Sequence, residues 1–140
     1  MLLLDTNILS AMMRPQPSPV LAIWIATQPI ETLFTAAICQ AEILAGLAIM
    51  PAGRRRHALA AAAQAMFAED FAGRVLAFDA AAAPHYAALF AARRQSGRPS
   101  AAPDLMIAAI ARANDASVVT RDSGGFAGCG LTVIDPWSSP

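Results

Sequence analysis

Short apolar runs of β type alternate with longer helical stretches along the whole of this 140-residue chain. The runs have the composition and length of buried strands, and they lie at residues 2–4, 32–35, 75–78, 117–120 and 131–134. Helical segments separate them, at residues 6–13, 20–27, 37–50, 55–67, 80–94 and 103–114. This alternation predicts an α/β fold in which a parallel sheet is covered by helices on both faces.

The chain has the length of one domain, and residues 1–140 are predicted to form it. The loops at residues 16–19 and 96–99 are too short to be linkers, and no internal repeat is visible. Although 56% of the residues are hydrophobic, no stretch approaches the ~18 uninterrupted apolar residues of a membrane span. Asp5 interrupts the first apolar run before a signal peptide could form. We therefore expect a cytoplasmic protein with no membrane contact.

The charged residues exclude several kinds of chemistry. Ten basic residues balance ten acidic ones, and every basic residue is arginine. A phosphate-binding P-loop and a Schiff-base enzyme both require lysine. The two cysteines, Cys39 and Cys129, form no metal-binding pair, and we expect both to be reduced and buried.

Four acidic residues have unusually apolar surroundings: Asp5, Glu42, Asp104 and Asp122. Asp5 follows the first predicted strand, Asp122 follows the fourth, and Asp104 opens a helix. Ligands of open parallel sheets bind at the carboxyl ends of the strands. Each acid also has a purely structural alternative, such as a helix N-cap for Asp5 or a dipole contact for Asp104.

Glu42 strengthens the case for a joint site. Its neighbours three and four residues away on the predicted helix are all apolar or small, which predicts that it is buried in the fold or in a subunit contact. An unpaired carboxylate there would be costly. Oxygen ligands from four acids suit Mg²⁺ or Mn²⁺, and sharing such a cation would remove that cost.

These residues lie in sequence motifs that resemble those of PIN-domain nucleases, and more narrowly those of VapC- or FitB-like toxins of type II toxin–antitoxin systems. The motifs are Leu4-Asp5-Thr6-Asn7, Ala41-Glu42-Ile43 with Gly46, Asp104-Leu105-Met106-Ile107-Ala108-Ala109, and Val119-Thr120-Arg121-Asp122-Ser123-Gly124-Gly125-Phe126. The similarity extends from Leu2 to Trp137 in the order typical of that family. Many relatives carry Asn at the position of Asp122 and an acid a few residues later. Here no acid follows before Asp135, so Asp122 takes that role, as in the FitB-like branch.

The resemblance implies a PIN-like three-layer sandwich with a five-stranded parallel sheet flanked by helices. It also implies a metal-dependent endoribonuclease that hydrolyses RNA phosphodiester bonds. Asp5, Glu42, Asp104 and Asp122 would be its catalytic residues and would bind Mg²⁺ or Mn²⁺. By the same analogy, Asn7 and Thr120 would hydrogen-bond the carboxylates.

The implied partners are a small cognate antitoxin, operator DNA reached only through the antitoxin complex, and a second copy of the chain in a homodimer. An antitoxin helix is expected against residues 20–27, with Leu21, Trp24 and Ile25 as the contact face. The alternative for Trp24 is a place in the core.

Two basic clusters offer contacts to RNA. Arg54, Arg55 and Arg56 fit a solvated helix surface, whereas the cluster of Arg93, Arg94 and Arg98 precedes Asp104 and is the better candidate for RNA phosphates. Aromatic residues, Phe90 included, sit at apolar positions and are expected in the core.

Two other functions compete with the nuclease. One is a catalytically weak FitB-like module that binds an antitoxin and modulates operator DNA binding, but such a module would be expected to lose one of the four acids. The other is a phosphoryl-transfer enzyme or receiver-like switch, which the absence of lysine disfavours.

Overall fold

A parallel sheet flanked by helices forms the centre of the structure, a computed structural model that describes residues 1–98 and 100–138. Its strands are β1 (Leu2–Leu4), β2 (Leu33–Ala36), β3 (Val75–Leu76), β4 (Ser117–Val119) and β5 (Val133–Ile134). They lie in the order β3-β2-β1-β4-β5, and every pair is parallel. The predicted α/β architecture and five-stranded sheet are confirmed.

The six predicted helices are present, with ends that differ by one or two residues from the predicted ones. They are α1 (Thr6–Met12), α2 (Pro19–Ala26), α3 (Ala37–Ile49), α4 (Arg54–Ala65), α5 (Ala82–Gln95) and α6 (Ala102–Ala113). Three short helical turns were not predicted: 3₁₀ turns at Ile30–Thr32 and Ser123–Phe126, and a π-helical turn at Met66–Asp70.

Two strands are two residues shorter than predicted, and β4 ends one residue early, at Val119. The structure ends β3 at Leu76, although the pattern predicted a strand to residue 78, and it begins β5 at Val133, not at residue 131. Both are edge strands with a neighbour on one side only. An edge strand has half of the pairing partners of a central one, so apolar composition alone overestimates its length.

The strand order creates a topological switch point beside β1. The chain leaves β1 towards β2 and β3, and later returns to the other side of β1 as β4. Leu4 pairs with Val119 at the end of these strands, and the Asp5 amide donates to the Val119 carbonyl at 2.9 Å. The carboxyl ends of β1 and β4 therefore meet, which is where open parallel sheets bind ligands.

Helix α6 is the most deeply buried helix and fixes the neighbouring site. Its residues Ile107–Ala111 are fully buried, as are Leu4 and Val119 of the adjoining strands. Small alanines let the helix pack closely against α5, α3 and β4. The first turn of α6, which contains Pro103 and Asp104, is thereby held at the edge of the sheet.

Two expectations about surface residues are wrong. Leu21 of α2 is only 1% exposed, and Trp24 and Ile25 pack against the core, so these three cannot form a free docking face. The exposed large apolar residues of α2 are Val20 and Ile23. Phe90, predicted as core, is 45% exposed. Within the described ranges, every helix falls short of the length and apolar character needed to cross a membrane.

Candidate active site at the carboxyl end of the sheet

Asp5 is a buried carboxylate at the switch point, with both oxygens engaged. Its Oδ1 accepts the Thr6 amide at 2.7 Å, so the residue does cap α1 as the structural alternative predicted. Its Oδ2 accepts the Thr120 hydroxyl at 2.8 Å and the Asn7 side-chain amide at 3.4 Å. Capping and a place in the acidic cluster are therefore compatible, since they use different oxygens.

Thr120 and Asn7 tie the ends of β1 and β4 together. The buried Thr120 hydroxyl accepts hydrogen bonds from Asn7 Nδ2 and from the Asp122 amide, each at 3.0 Å. Asn7 Oδ1 in turn accepts the Arg121 amide at 3.1 Å. Thr120 and Asn7 thus make the carboxylate contacts that the sequence predicts for them. Their support of a metal ligand stays a prediction.

Asp104 and Asp122 approach each other across Gly125. Asp104 lies in the first turn of α6, and Asp122 precedes the 3₁₀ turn that contains Gly125. A Cβ at Gly125 would lie 3.1 Å from Asp122 Oδ2 and 3.2 Å from Asp104 Oδ2. These contacts would be tighter than ordinary packing, so glycine leaves room for two carboxylates here.

Glu42 is exposed in the single chain, so the expectation that the fold buries it is wrong, whereas its burial in a subunit contact stays a prediction. Its Oε1 accepts the Thr6 hydroxyl at 2.7 Å, which places the carboxylate beside the residue that follows Asp5. The apolar neighbours of Glu42 lie on a helix that turns a non-polar face outwards, with Leu44 49% and Ile49 87% exposed. An apolar surface on a helix has the same sequence pattern as a buried face.

The electrostatics show that the four acids act on one another. Burial raises the pKa of Asp5, and the charges of Glu42 and Asp122 raise it further. Burial also raises the pKa of Asp104, with added repulsion from Asp5, Asp122 and Glu42, whereas Arg93 lowers it. Mutual repulsion of this kind marks a place where a cation would stabilise the ionised carboxylates.

The carboxylate oxygens of the four acids fit a hard divalent cation, although the four side chains do not converge on one point. In the part of the chain that the structure describes, no group of three or more Asp, Glu, His or Cys side chains is arranged to hold a metal ion. Glu42 and Asp122 are exposed, and exposed side chains can change rotamer, so a bound cation can draw these two carboxylates towards Asp5 and Asp104. All-oxygen donors with a shared negative charge are the ligands that Mg²⁺ and Mn²⁺ prefer.

The three arginines predicted to contact RNA are not alike. Arg93 Nη2 donates to the carbonyls of Gly125 and Ala127 and to Cys129 Sγ. This guanidinium is therefore directed at the protein's own loop, and its contact with RNA stays a prediction. Arg94 and Arg98 are exposed, and their contact with RNA stays a prediction.

Both cysteines are free and buried, as expected. Burial raises the pKa of the Cys39 thiol to about 11, and the neighbouring charge of Asp5 adds to the shift. Cys39 is therefore a protonated core residue at neutral pH and takes no part in the site.

The sequence interpretation missed a contact that supports the turn between Thr120 and Asp122. The Arg121 guanidinium lies 4.0 Å from the centre of the Trp137 ring, and Trp137 Nε1 donates to Ser18 Oγ at 3.2 Å. The Thr-Arg-Asp motif and the closing Trp137 were both noted in the sequence. Nothing in their spacing predicts that they meet.

Comparisons with known sequences agree on one family. The family model for the PIN domain matches residues 2–128. Plasmid stability protein StbB of Pseudomonas syringae pv. tomato is 42% identical over 139 residues, covering 99% of this chain and 100% of the relative. VapC ribonuclease Y4jK of Sinorhizobium fredii is 42% identical over 137 residues, covering 98% of each. Toxin FitB of Neisseria gonorrhoeae is 35% identical over 137 residues, covering 98% of this chain and 99% of the relative.

Solved structures give the same result. FitAB bound to an IR36 DNA fragment matches with a TM-score of 0.91 and 34% identity, over 100% of this chain and 98% of the other. FitAcB from Neisseria gonorrhoeae matches with a TM-score of 0.87 and 33% identity, over 99% of this chain and 100% of the other.

Proposed function

This chain belongs to the PIN-domain family, and from that premise we propose that it is the ribonuclease toxin of a toxin–antitoxin pair. It hydrolyses RNA phosphodiester bonds with a divalent cation, Mg²⁺ or Mn²⁺, in the cytoplasm. The observation that carries the proposal is the placement of four acids at the topological switch point: Asp5 follows β1, Glu42 accepts from the adjacent Thr6, and Asp104 and Asp122 both face Gly125. Relatives that match nearly the full length of the chain are named as a VapC ribonuclease and a toxin.

Asp5, Glu42, Asp104 and Asp122 would hold the cation. When bound, such a cation lowers the pKa of water and neutralises charge that develops at a phosphate. The protein's own contribution is to orient the ligands: Thr120 holds Asp5 Oδ2 at 2.8 Å, in a buried setting where electrostatic interactions are stronger than in water.

We expect the purified protein to cleave single-stranded RNA with Mn²⁺ or Mg²⁺ and to lose this activity in EDTA, because the carboxylates alone cannot activate water. Gel analysis of a labelled RNA over time measures both rates. Asp115→Asn is the matched control for an acid-to-amide change in the site. Asp115 lies just before β4, at the opposite end of that strand from Asp122, and its φ of 53° suits asparagine. This variant should keep full activity. Cleavage that persists in EDTA would contradict the proposal.

The protein is expected to form a symmetric homodimer. The outward face of α3 exposes Leu44 and Ile49, and Phe90 of α5 is also exposed. Exposed apolar surface of this kind usually marks an interface. Light scattering at micromolar concentration should give twice the chain mass of 14.6 kDa. The double variant Leu44→Arg/Ile49→Arg should give a lower mass. A monomeric wild-type protein would contradict this expectation.

An antitoxin segment is expected in a groove between α1, α3 and α4, in place of the α2 face that the sequence suggested. The groove has a volume of about 670 Å³ and is lined by apolar residues such as Met13, Ile43 and Leu59, with Glu42 among them. It therefore suits an amphipathic helix and gives that helix access to the acidic site. One relative of known structure, FitAB, is bound to a DNA fragment, and we propose that this chain reaches operator DNA through its antitoxin.

Co-expression with the antitoxin tests the groove. Leu59→Arg should abolish co-purification, because it places an unpaired charge in the apolar groove, while Ile23→Arg on the exposed face of α2 should not. If both variants lost co-purification equally, or if only Ile23→Arg lost it, the α2 face would again be the expected docking site.

A further inference from the structure

Arg93 connects α5 to the segment that contains Gly125, residues 123–129, called the 123–129 loop below. Its Nη2 donates to Gly125 O at 3.3 Å, to Ala127 O, and to Cys129 Sγ at 3.4 Å. One nitrogen thus meets acceptors on alternate residues of the loop. In the described part of the chain, Arg93 Nε is buried without a hydrogen-bond partner, a cost that the fold accepts to place the guanidinium here.

Within the described residues, Arg93 provides the 123–129 loop with hydrogen bonds that its own backbone does not make to the rest of the protein. Its backbone hydrogen bonds are local: the amides of Gly125, Ala127 and Cys129 each donate to a carbonyl three residues earlier. Such bonds set the shape of the loop but not its position. The buried Phe126 and Cys129 side chains anchor it through packing, and Arg93 adds directional hydrogen bonds from a separate helix.

The position of this loop bears directly on the acidic site. Gly125 accepts from Arg93 through its carbonyl, while a Cβ on the same residue would lie 3.1 Å from Asp122 Oδ2 and 3.2 Å from Asp104 Oδ2. We propose that Arg93 is a positioning residue, which fixes the 123–129 loop and so sets the space in which Asp104 and Asp122 bind a divalent cation. The cation in this inference rests on the proposed function, whereas the position of the loop rests on the Arg93 contacts alone.

Positioning and simple charge predict opposite effects for Arg93→Ala. Arg93 is a positive charge close enough to Asp104 to act on its ionisation, so removing that charge alone would strengthen the binding of a cation. Loss of position would weaken it, as the loss of residues that orient metal ligands typically does, by about 10–100-fold. The direction of the change in Mn²⁺ affinity therefore distinguishes the two roles.

The experiment measures two quantities on folded, full-length variants. Calorimetry gives the Mn²⁺ affinity, and mass spectrometry gives the rate at which a thiol reagent modifies Cys129, which is only 1% exposed beneath Arg93. Cys39, fully buried on α3, serves as the internal reference thiol. The variants are Arg93→Ala, Gly125→Ala and the double variant. Arg112→Ala, an exposed arginine in the last turn of α6, is the control for charge loss.

We expect Arg93→Ala to weaken Mn²⁺ binding by about tenfold or more and to speed modification of Cys129 but not of Cys39. Gly125→Ala, which crowds the same two carboxylates directly, should weaken Mn²⁺ binding with Cys129 still protected. Both substitutions act on the space between Asp104 and Asp122. The double variant should therefore lose less Mn²⁺ affinity than the two single losses multiplied together. Arg112→Ala should match the wild type.

Two results would overturn the inference: unchanged or tighter Mn²⁺ binding by Arg93→Ala, or unchanged protection of Cys129. A wild-type protein that binds no Mn²⁺ overturns the proposed function, and with it the role of Arg93 towards a cation. The Cys129 rate in that case still decides whether Arg93 fixes the loop.

Discussion

Asp104→Asn is expected to reduce RNA cleavage by about 100-fold or more, yet to make the metal-free protein more stable to heat. The loss of activity follows from removing one charged ligand, since even residues that only orient a metal ligand contribute 10–100-fold. The gel assay measures the activity, and thermal unfolding in EDTA measures the stability. Asp115→Asn, which makes the same chemical change outside the site, should alter neither.

The gain in stability follows from the raised pKa of Asp104, which burial and the charges of Asp5, Asp122 and Glu42 produce. A carboxyl group whose pKa is higher in the folded state contributes stability below its unfolded value of 3.8, and that contribution is lost as the pH rises through the folded value. At neutral pH the ionised Asp104 therefore destabilises the metal-free protein, although the N-terminus of α6 favours a negative charge. Asparagine removes the repulsion. A lower melting temperature for Asp104→Asn in EDTA would contradict this account.

Thr120→Val is expected to weaken Mn²⁺ binding by about 10–100-fold and to reduce the free energy of unfolding by about 1–3 kcal/mol. Valine keeps the shape of threonine but removes the hydroxyl that donates to Asp5 and accepts from Asn7 and the Asp122 amide. Asp5 then loses a donor that holds its carboxylate in place. Calorimetry with Mn²⁺ and chemical denaturation measure the two effects.

Thr35→Val separates the two effects. Thr35 is as completely buried as Thr120, but its hydroxyl donates to the Leu4 carbonyl at 2.9 Å and not to a carboxylate. This variant should lose a comparable amount of stability and keep its affinity for Mn²⁺. If Thr35→Val and Thr120→Val weakened Mn²⁺ binding equally, Thr120 would have no special role in the site.

The sheet could be predicted from the sequence because its strands are buried. The apolar run Leu2–Leu4 ends at Asp5, and the predicted strand at residues 117–120 is present as Ser117–Val119. Edge strands were overestimated because apolar composition does not reveal whether a partner strand is present on each side. The 3₁₀ turn at Ser123–Phe126 was missed because its glycines indicate only a turn, and because Arg93 and Asp104, which lie beside it, come from other parts of the chain.

The site was predicted in part. Asp5 and Asp122 were predicted at the carboxyl ends of their strands, but the strand order that makes β1 and β4 neighbours was not predicted, because alternation of elements does not determine it. Of the two predicted places for Glu42, burial within the fold was wrong, because an apolar helix face has the same sequence pattern whether it packs inside the fold or lies at the surface. The role of Arg93 depends on a contact across more than 30 residues of sequence, which no local pattern contains.

Anomalous diffraction from crystals grown with Mn²⁺ tests the central claim most directly, because it locates the cation without relying on activity. We predict an anomalous peak among Asp5, Glu42, Asp104 and Asp122, and its loss in crystals of Asp104→Asn. A protein that binds Mn²⁺ elsewhere, or shows no peak between these carboxylates at saturating Mn²⁺, would contradict the account.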